Sequence, residues 1–357
     1  MSANPENDAS LCSRGGSRRE FLKSAAVVGA SALMPASGWL AQLARSPSGP
    51  QDGIIDVHSH FSTPSLIQAL GTQRLGTMAS WTAAKALEDM DGSGVSTAMV
   101  SIPPTGDPFL DASNAVRLSR DCNEFAARLA ADHPGRFGVF AATPLPNIDA
   151  TLNEIEYAFD SLKVDGIALF TSYGDKWLGD LAFNPVFEEL NRRRVVVYTH
   201  PNTANCCRNL LTNVSDATIE WGTDTTRAIT QVIFGGAAAR YPNIHIIWSH
   251  AGGTMPYLVE RFNLMAKTPQ FASKFPDGFP AAAAKFYYDT AQTSNPAAMS
   301  ALRKVVPVTQ IVYGTDYPFR TEADHVKGLK ECGVFSADDL RLVERENILP
   351  LLPRFKG

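Results

Sequence analysis

Eight short apolar segments alternate with helical patterns over residues 54–314, and this alternation constrains the fold more than any other feature of the chain. Such an alternation predicts parallel strands joined by crossover helices. The predicted strands span residues 54–58, 97–102, 137–141, 166–170, 195–200, 244–250, 286–289 and 311–314. Eight strand–helix units are the number that closes a (β/α)8 TIM barrel, so we predict this α/β fold.

Residues 46–357 are predicted to form the barrel as a single domain. Their length of about 310 residues is somewhat above the roughly 250 residues of a typical eight-stranded barrel. No repeat, charge block or low-complexity linker divides them.

The N-terminal segment has the pattern of an export signal. Arg18 and Arg19 form a twin-arginine pair, and a weakly apolar stretch follows at residues 24–34. That stretch is shorter than the ~20 apolar residues of a membrane span. We therefore predict a twin-arginine signal peptide and linker over residues 1–45, recognised by the twin-arginine export machinery, and a periplasmic or secreted protein. A basic tail without export function is the alternative, and it would leave the protein in the cytoplasm.

The charge balance gives no reason to expect nucleic acid as a partner. Residues 1–45 hold five basic and three acidic residues, so the net charge of −4 becomes −6 without them. A mildly acidic domain does not attract a phosphate backbone.

Four of the five cysteines lie beyond residue 45, with the spacing of neither a disulfide framework nor a zinc finger. Cys206 and Cys207 are adjacent and follow His200 by six residues, which predicts a position near the barrel mouth. Loop packing, metal ligation and sensitivity to oxidation stay open as roles for this pair.

Four potential metal ligands end or follow apolar strands: His58, His60, His200 and Asp316. The C-terminal ends of barrel strands all lie at one mouth, so these residues converge there. His58 and His60 are two apart on a strand and share one face. Three imidazoles and one carboxylate suit a divalent metal ion, which we predict to be a single zinc, with manganese as the alternative, and with a position open for water.

His250 ends the sixth predicted strand and is one histidine more than a tetrahedral site with a water requires. We predict that it is catalytic, as a general base or hydrogen-bond donor to metal-bound water. Asp316 is predicted both to bind the metal and to move a proton. A fifth ligand or a buried structural histidine are the alternatives for His250. His133, His245 and His325 are not assigned to the site.

The motifs together resemble the amidohydrolase-related superfamily. They are HSH at 58–60, His200 on the fifth strand, SHAGG at 249–253 and TDYPF at 315–319. The closer resemblance is to its decarboxylase branch, which includes aminocarboxymuconate-semialdehyde decarboxylase and 6-methylsalicylate decarboxylase-like proteins. Residues 165–174 and 224–228 are similar to segments of the methylsalicylate-type members.

The resemblance implies a barrel of the metal-dependent hydrolase type. It assigns the metal to His58, His60, His200 and Asp316, and activation of water or substrate to His250. It also implies that Arg261, eleven residues after His250, binds a substrate carboxylate, in some members across a homodimer. A helix-surface arginine in an ion pair is the alternative for Arg261. The family also has a second arginine shortly before a tryptophan in the loop after the first strand, and Arg74, ahead of Trp81, is the candidate for it. Binuclear relatives carry a lysine at the end of the fourth strand, and residues 166–170 have none, which favours one metal.

The resemblance predicts an enzyme, a metal-dependent non-oxidative decarboxylase of a small aromatic or muconate-type carboxylic acid. The metal would hold the carboxylate or an adjacent hydroxyl, and Asp316 or His250 would protonate the carbon that loses carbon dioxide. No organic cofactor is needed. Four aromatic residues are candidates either to sandwich a planar ring or to pack in the core: Phe61, Trp177, Trp221 and Phe319.

Two other functions stay open. A metal-activated water in the same barrel hydrolyses a lactone or an amide, which would make the protein a hydrolase. A non-catalytic periplasmic protein would retain the metal for stability alone, in a coordination shell without a labile water.

Overall fold

The computed structural model describes residues 52–104 and 112–356, and it confirms the predicted (β/α)8 barrel. Eight parallel strands pair in the order of the sequence. They are β1 Ile54–His60, β2 Val95–Ser101, β3 Phe137–Ala141, β4 Gly166–Phe170, β5 Val196–His200, β6 His245–Trp248, β7 Tyr287–Asp289 and β8 Ile311–Val312. The predicted signal peptide and linker, residues 1–45, lie outside the described residues, so this boundary stays a prediction.

The first and last strands are joined by backbone hydrogen bonds that close the barrel. The amide of Val57 donates to the carbonyl of Tyr313 at 3.0 Å, and the amide of Asp316 donates to the carbonyl of His58 at 2.8 Å. The loop after β8 is thereby fixed against β1, which places Asp316 beside the two histidines of β1.

Helices cover the outside of the barrel. They are α1 Pro64–Leu70, α2 Thr72–Leu75, α3 Ala83–Ser93, α4 Ala112–Asp132, α5 Ile148–Tyr157, α6 Asn184–Arg193, α7 Asp216–Phe234, α8 Ala237–Arg240, α9 Met255–Ala266, α10 Gly278–Ala283, α11 Pro296–Val305, α12 Glu322–Glu331 and α13 Ala337–Arg341. None of the helices in the described part is long and apolar enough to cross a lipid bilayer.

The strands are apolar because both faces of the sheet are covered. All residues of β1, β2 and β3 are buried. Ile55, Val57, Met99 and Phe140 belong to an inner cluster, and a larger cluster packs between strands and helices. A parallel sheet that is buried on both faces reads as continuous apolar runs, which is why the sequence revealed the strands.

The strand ends differ from the predicted ones where the chain turns toward the barrel mouth. β1 continues two residues further, to His60, and β6 ends at Trp248 rather than at residue 250. His250 lies in a short 3-10 turn with a φ of +53°. A residue in this left-handed conformation cannot continue a strand ladder, so its side chain leaves the sheet.

A two-stranded hairpin that the sequence did not predict follows β4, with strands Ser172–Tyr173 and Lys176–Trp177. The buried carboxylate of Asp224 on α7 accepts hydrogen bonds from the Ser172 hydroxyl at 2.8 Å and from the Trp177 indole. These hydrogen bonds attach the hairpin to α7, and they occupy the indole N–H of Trp177.

His325 on α12 is buried, although the polar sequence around it gave no sign of burial. Its Nε2 lies 2.9 Å from the Thr290 hydroxyl. Burial, together with the charge of Arg320, lowers the pKa of His325 to about 3 from the usual 6.5. Below pH 6.5, His325 therefore binds a proton in the unfolded chain but not in the folded protein.

The free energy of unfolding is expected to fall as the pH drops from 6.5 toward 3, by up to about 1.4 kcal/mol per pH unit from this group. In His325→Gln this pH-dependent loss of stability is absent, because glutamine does not titrate. The glutamine side-chain amide still provides a hydrogen-bond partner for the Thr290 hydroxyl. Urea unfolding of the metal-depleted proteins at pH 6.5 and pH 4.5 measures the difference. Equal losses in wild type and variant would contradict the assignment.

Candidate metal centre

β1 presents two histidines to the centre of the barrel mouth. His58 and His60 are fully buried, and their Nε2 atoms lie 3.2 Å apart. Residues two apart on a strand point to the same face, and the structure confirms this expectation.

His200, across the barrel from β1, and Asp316, in the loop after β8, complete the group. His200 ends β5, and its ring centroid lies 5.1 Å from that of His58 and 4.9 Å from that of His60. The Oδ1 atom of Asp316 lies 3.2 Å from His58 Nε2 and 3.1 Å from His60 Nε2. One donor atom from each of the four residues lies within 4.8 Å of the others. The structure thus brings together the four residues that were predicted from the sequence as metal ligands.

Each of the three rings has a hydrogen-bond acceptor behind it. Nδ1 of His58 lies 2.8 Å from the Asp289 carboxylate, and Nδ1 of His60 lies 3.3 Å from the Ser101 carbonyl. Nδ1 of His200 lies 2.8 Å from the Pro201 carbonyl. When the rings are neutral and Nδ1–H donates to these acceptors, each Nε2 directs a lone pair into the centre.

Two buried atoms of the group have no hydrogen-bond partner among the described residues: His200 Nε2 and Asp316 Oδ1. A buried polar atom without a partner is costly unless a ligand satisfies it. Three imidazole nitrogens and one carboxylate oxygen are a donor set that suits a zinc-like divalent ion. These residues therefore fit a single metal ion.

The electrostatics of the group also favour a cation. Burial alone would lower the pKa of His58, but the carboxylates of Asp289 and Asp316 outweigh burial and raise that pKa to about 10. Burial and the neighbouring histidines hold the pKa of His200 well below its usual range, so this ring is neutral. Burial would raise the pKa of Asp316, but His58 and the other histidines hold it well below its usual range.

His250 lies beside the four-residue group. Its Nε2 is 3.4 Å from Asp316 Oδ2, and its ring centroid is 5.0 Å from that of His58. Its side chain is 12% exposed, whereas those of His58 and His60 are 0% exposed. A proton on His250 can therefore reach both Asp316 and a molecule in the mouth, as a catalytic acid or base requires.

Asp289, at the end of β7, organises the site and was missed from the sequence. It is fully buried, and it accepts from His58 Nδ1 at 2.8 Å, from the His250 amide at 2.7 Å and from the Ala291 amide at 3.0 Å. One carboxylate thus orients a predicted metal ligand and the turn that carries His250. The signal was present, because an acid ends the seventh apolar run as Asp316 follows the eighth.

Two cavities open at the barrel mouth, with volumes of about 290 and 710 Å³. The larger one is lined by His250, Gln292 and Asp316, among others, and the smaller one by Arg74 and Arg208, among others. Arg74 and Arg208 lie in the segments that follow β1 and β5, so these segments shape the mouth.

Two of the four candidate aromatic residues line both cavities: Trp221 and Phe319. The Trp221 ring lies 5.4 Å from that of His200, and the Phe319 ring lies 5.9 Å from that of His60. Phe61 is 2% exposed and stacks on Phe125, so it belongs to the core.

The adjacent residues Cys206 and Cys207 are joined by a disulfide, which the sequence did not predict. Neither belongs to the four-residue group described above. They lie at the rim of the mouth, next to Arg208 of the smaller cavity.

Arg261, the predicted carboxylate-binding residue, lies on the exposed surface of α9. It lines neither of the two cavities at the mouth. Within one chain, the structure therefore does not bring Arg261 to the site.

The sequence matches the amidohydrolase family over residues 55–354. A 6-methylsalicylic acid decarboxylase from Penicillium expansum is 34% identical over 317 residues, which cover 85% of this chain and 97% of the relative. The crystal structure of 5-carboxyvanillate decarboxylase from Sphingomonas paucimobilis has a TM-score of 0.74 at 20% identity and covers 84% of this chain and 99% of its own. A dihydroxybenzoic acid decarboxylase from Polaromonas, solved with bound manganese and the inhibitor 2-nitroresorcinol, has a TM-score of 0.70 at 20% identity and covers 84% of this chain and 97% of its own.

Proposed function

Because the chain belongs to the amidohydrolase family and is a metal-dependent decarboxylase of small aromatic carboxylic acids, we propose that its substrate is a 2-hydroxybenzoate of the 6-methylsalicylate type. One divalent ion would be held by His58, His60, His200 and Asp316. The observation that carries this proposal is the convergence of three Nε2 lone pairs and an unpartnered Asp316 oxygen beside His250.

The relatives favour decarboxylation over the hydrolysis of a lactone or an amide and over a non-catalytic role. The Penicillium relative is named for an acid whose carboxylate has a hydroxyl on the neighbouring ring carbon. Those two oxygens are the pair that a single metal ion can hold together. The larger cavity, which Trp221 and Phe319 help to line, has a volume of about 710 Å³, enough for one substituted ring.

When bound, the ion supplies positive charge that attracts the carboxylate and the adjacent hydroxyl of the substrate. The residues of the chain then move one proton. The ring carbon that carries the carboxylate must gain a proton, so that the electrons of the broken carbon–carbon bond restore the aromatic ring as carbon dioxide leaves. Asp316 is ionised when it binds the ion, because a carboxylate ligand must be deprotonated. We assign delivery of the proton to His250, with Asp316 Oδ2 at 3.4 Å orienting the imidazole.

Zinc is the metal that we propose. The donor set of three imidazoles and one carboxylate has the nitrogen ligands that zinc accepts and only one hard oxygen ligand. Manganese is the alternative, because the Polaromonas decarboxylase contains it. Elemental analysis of protein produced without added metal distinguishes the two.

A homodimer would give Arg261 a role that it lacks within one chain. The same helix, α9, exposes three large hydrophobic side chains, Tyr257 at 88%, Leu264 at 60% and Met265 at 38%. We propose that α9 lies at the dimer interface, so that Arg261 reaches the cavity of the second copy and binds the substrate carboxylate.

We also propose export through the twin-arginine pattern at residues 18–19, which would place the folded, metal-loaded protein in the periplasm.

Carbon dioxide release from a panel of hydroxybenzoates tests the proposed substrate class. Salicylate and 6-methylsalicylate are expected to react, and 3- and 4-hydroxybenzoate to react at least about 100-fold more slowly in kcat/KM, because they lack the hydroxyl beside the carboxylate. Equal rates across the panel would contradict the role of that hydroxyl. Ring opening of a lactone without release of carbon dioxide would instead support the hydrolase.

A further inference from the structure

Gln292 contacts Asp316 from the loop that follows β7. Its side-chain Nε2 donates to Asp316 Oδ2 at 3.2 Å, and both residues line the larger cavity together with His250. Gln292 is therefore placed to act on the only carboxylate of the four-residue group.

The chemistry of the pair fixes which end of the Gln292 amide faces Asp316. A carboxylate that binds a metal is ionised, so both of its oxygens accept and neither donates. The facing group must then be the NH2 of Gln292. With Oδ2 held by Gln292 on one side and 3.4 Å from His250 on the other, Oδ1 is left to face His58 and His60.

A carboxylate with one anchor turns readily about its terminal bond, because that torsion is broad and roughly two-fold. The anchor on Oδ2 therefore decides how well Oδ1 is held toward the histidines. The loop that carries Gln292 is itself fixed, since the amide of the preceding Ala291 donates to the buried Asp289 carboxylate at 3.0 Å.

The backbone at this contact is strained. Gln292 has a φ of +55°, and its two partners at the oxygen, His250 and Asp316, have φ values of +53° and +71°. Residues other than glycine adopt this region at a cost, and such residues concentrate at functional sites, where the surroundings hold them in place. Residues from three different loops adopt this unfavourable backbone conformation, and their side chains lie together at Asp316 Oδ2.

We propose that Gln292 is a positioning residue that holds Asp316 Oδ2, so that Oδ1 stays directed at the metal and Oδ2 stays beside His250. This inference rests on the metal site of the proposed function. It assigns to Gln292 an effect on both metal affinity and turnover, without contact between Gln292 and the metal.

Two variants separate positioning from a general role in folding. Gln292→Asn is one methylene shorter and loses the contact, but asparagine tolerates the left-handed backbone better than most residues. Gln292→Met keeps the length and removes the donor. Gln68→Met is the matched control, since Gln68 is an exposed glutamine on α1 that lines neither cavity.

The measurements are the zinc affinity by chelator competition, the thermal midpoint of the metal-free protein, and kcat and KM for 6-methylsalicylate. Both Gln292 variants are expected to bind zinc about tenfold more weakly and to lose about tenfold in kcat, with KM within about twofold. The metal-free midpoint of Gln292→Asn is expected to stay at the wild-type value or to rise by about 2 °C. Gln68→Met should match wild type throughout.

Unchanged zinc affinity in both Gln292 variants would overturn the proposal, and so would losses that follow a lowered midpoint of the metal-free protein. The zinc titration also separates this inference from the proposed function. Weaker zinc binding in the variants of a protein that releases no carbon dioxide would support Gln292 and reject the substrate proposal. If wild type releases carbon dioxide but the Gln292 variants keep the wild-type zinc affinity, the substrate proposal is supported and the role of Gln292 is rejected.

Discussion

His250→Ala is expected to lower kcat for decarboxylation by a factor of about 10² to 10⁴, the usual contribution of a positioned general acid. The variant should keep its zinc, because His250 stands outside the four-residue group and Gln292 still holds Asp316 Oδ2. Steady-state kinetics together with metal analysis of the same preparation measures both quantities.

His245→Ala provides the control for this prediction, since His245 lies exposed at the opposite end of the same strand, β6. It should leave turnover unchanged. Parallel loss of zinc and activity in His250→Ala would show that His250 is a fifth ligand, which the sequence had left open. Retention of full turnover would show that His250 is a structural histidine and would remove the assigned proton donor.

The barrel was predictable because parallel strands buried on both faces leave continuous apolar runs in the sequence. The four candidate ligands were predictable for the same reason, since a histidine or an aspartate after such a run interrupts it visibly. The ends of the strands were less accurate, and His250 shows why. Its left-handed backbone, with a φ of +53°, depends on the Asp289 carboxylate that binds its amide, and that residue lies 39 positions away in the sequence.

The supporting residues could not be identified in this way. Asp289 ends an apolar strand, as the candidate ligands do. This pattern does not reveal whether the carboxylate binds a metal or accepts a hydrogen bond from Nδ1 of a histidine. Gln292 has no sequence signal at all, because a glutamine in a polar loop is ordinary. The role that we propose for Arg261 requires a second chain, and one chain of the structure does not place Arg261 at the site.

The second large effect is expected from His200→Ala. Nε2 of His200 has no partner among the described residues, and Nδ1 donates only to the neighbouring Pro201 carbonyl. Truncation therefore removes a proposed metal ligand without leaving a buried charge unpaired. His58→Ala is a less clean test, because it would leave the fully buried carboxylate of Asp289 without its imidazole.

The zinc affinity of His200→Ala is expected to fall by more than about 100-fold, beyond the usual effect of losing a residue that only supports a ligand. Decarboxylation should fall with it, because the remaining three residues no longer hold the ion that binds the substrate. A thermal midpoint of the metal-free variant near that of wild type would show that the loss belongs to the site and not to the fold.

The most direct test is therefore the metal content of wild type and His200→Ala, measured by elemental analysis and paired with carbon dioxide release from 6-methylsalicylate. We expect about one zinc per chain in wild type, with release of carbon dioxide, and the loss of both in the variant. A His200→Ala protein that keeps its metal and its activity would contradict the site assignment, and so would a wild type that releases carbon dioxide without any bound metal.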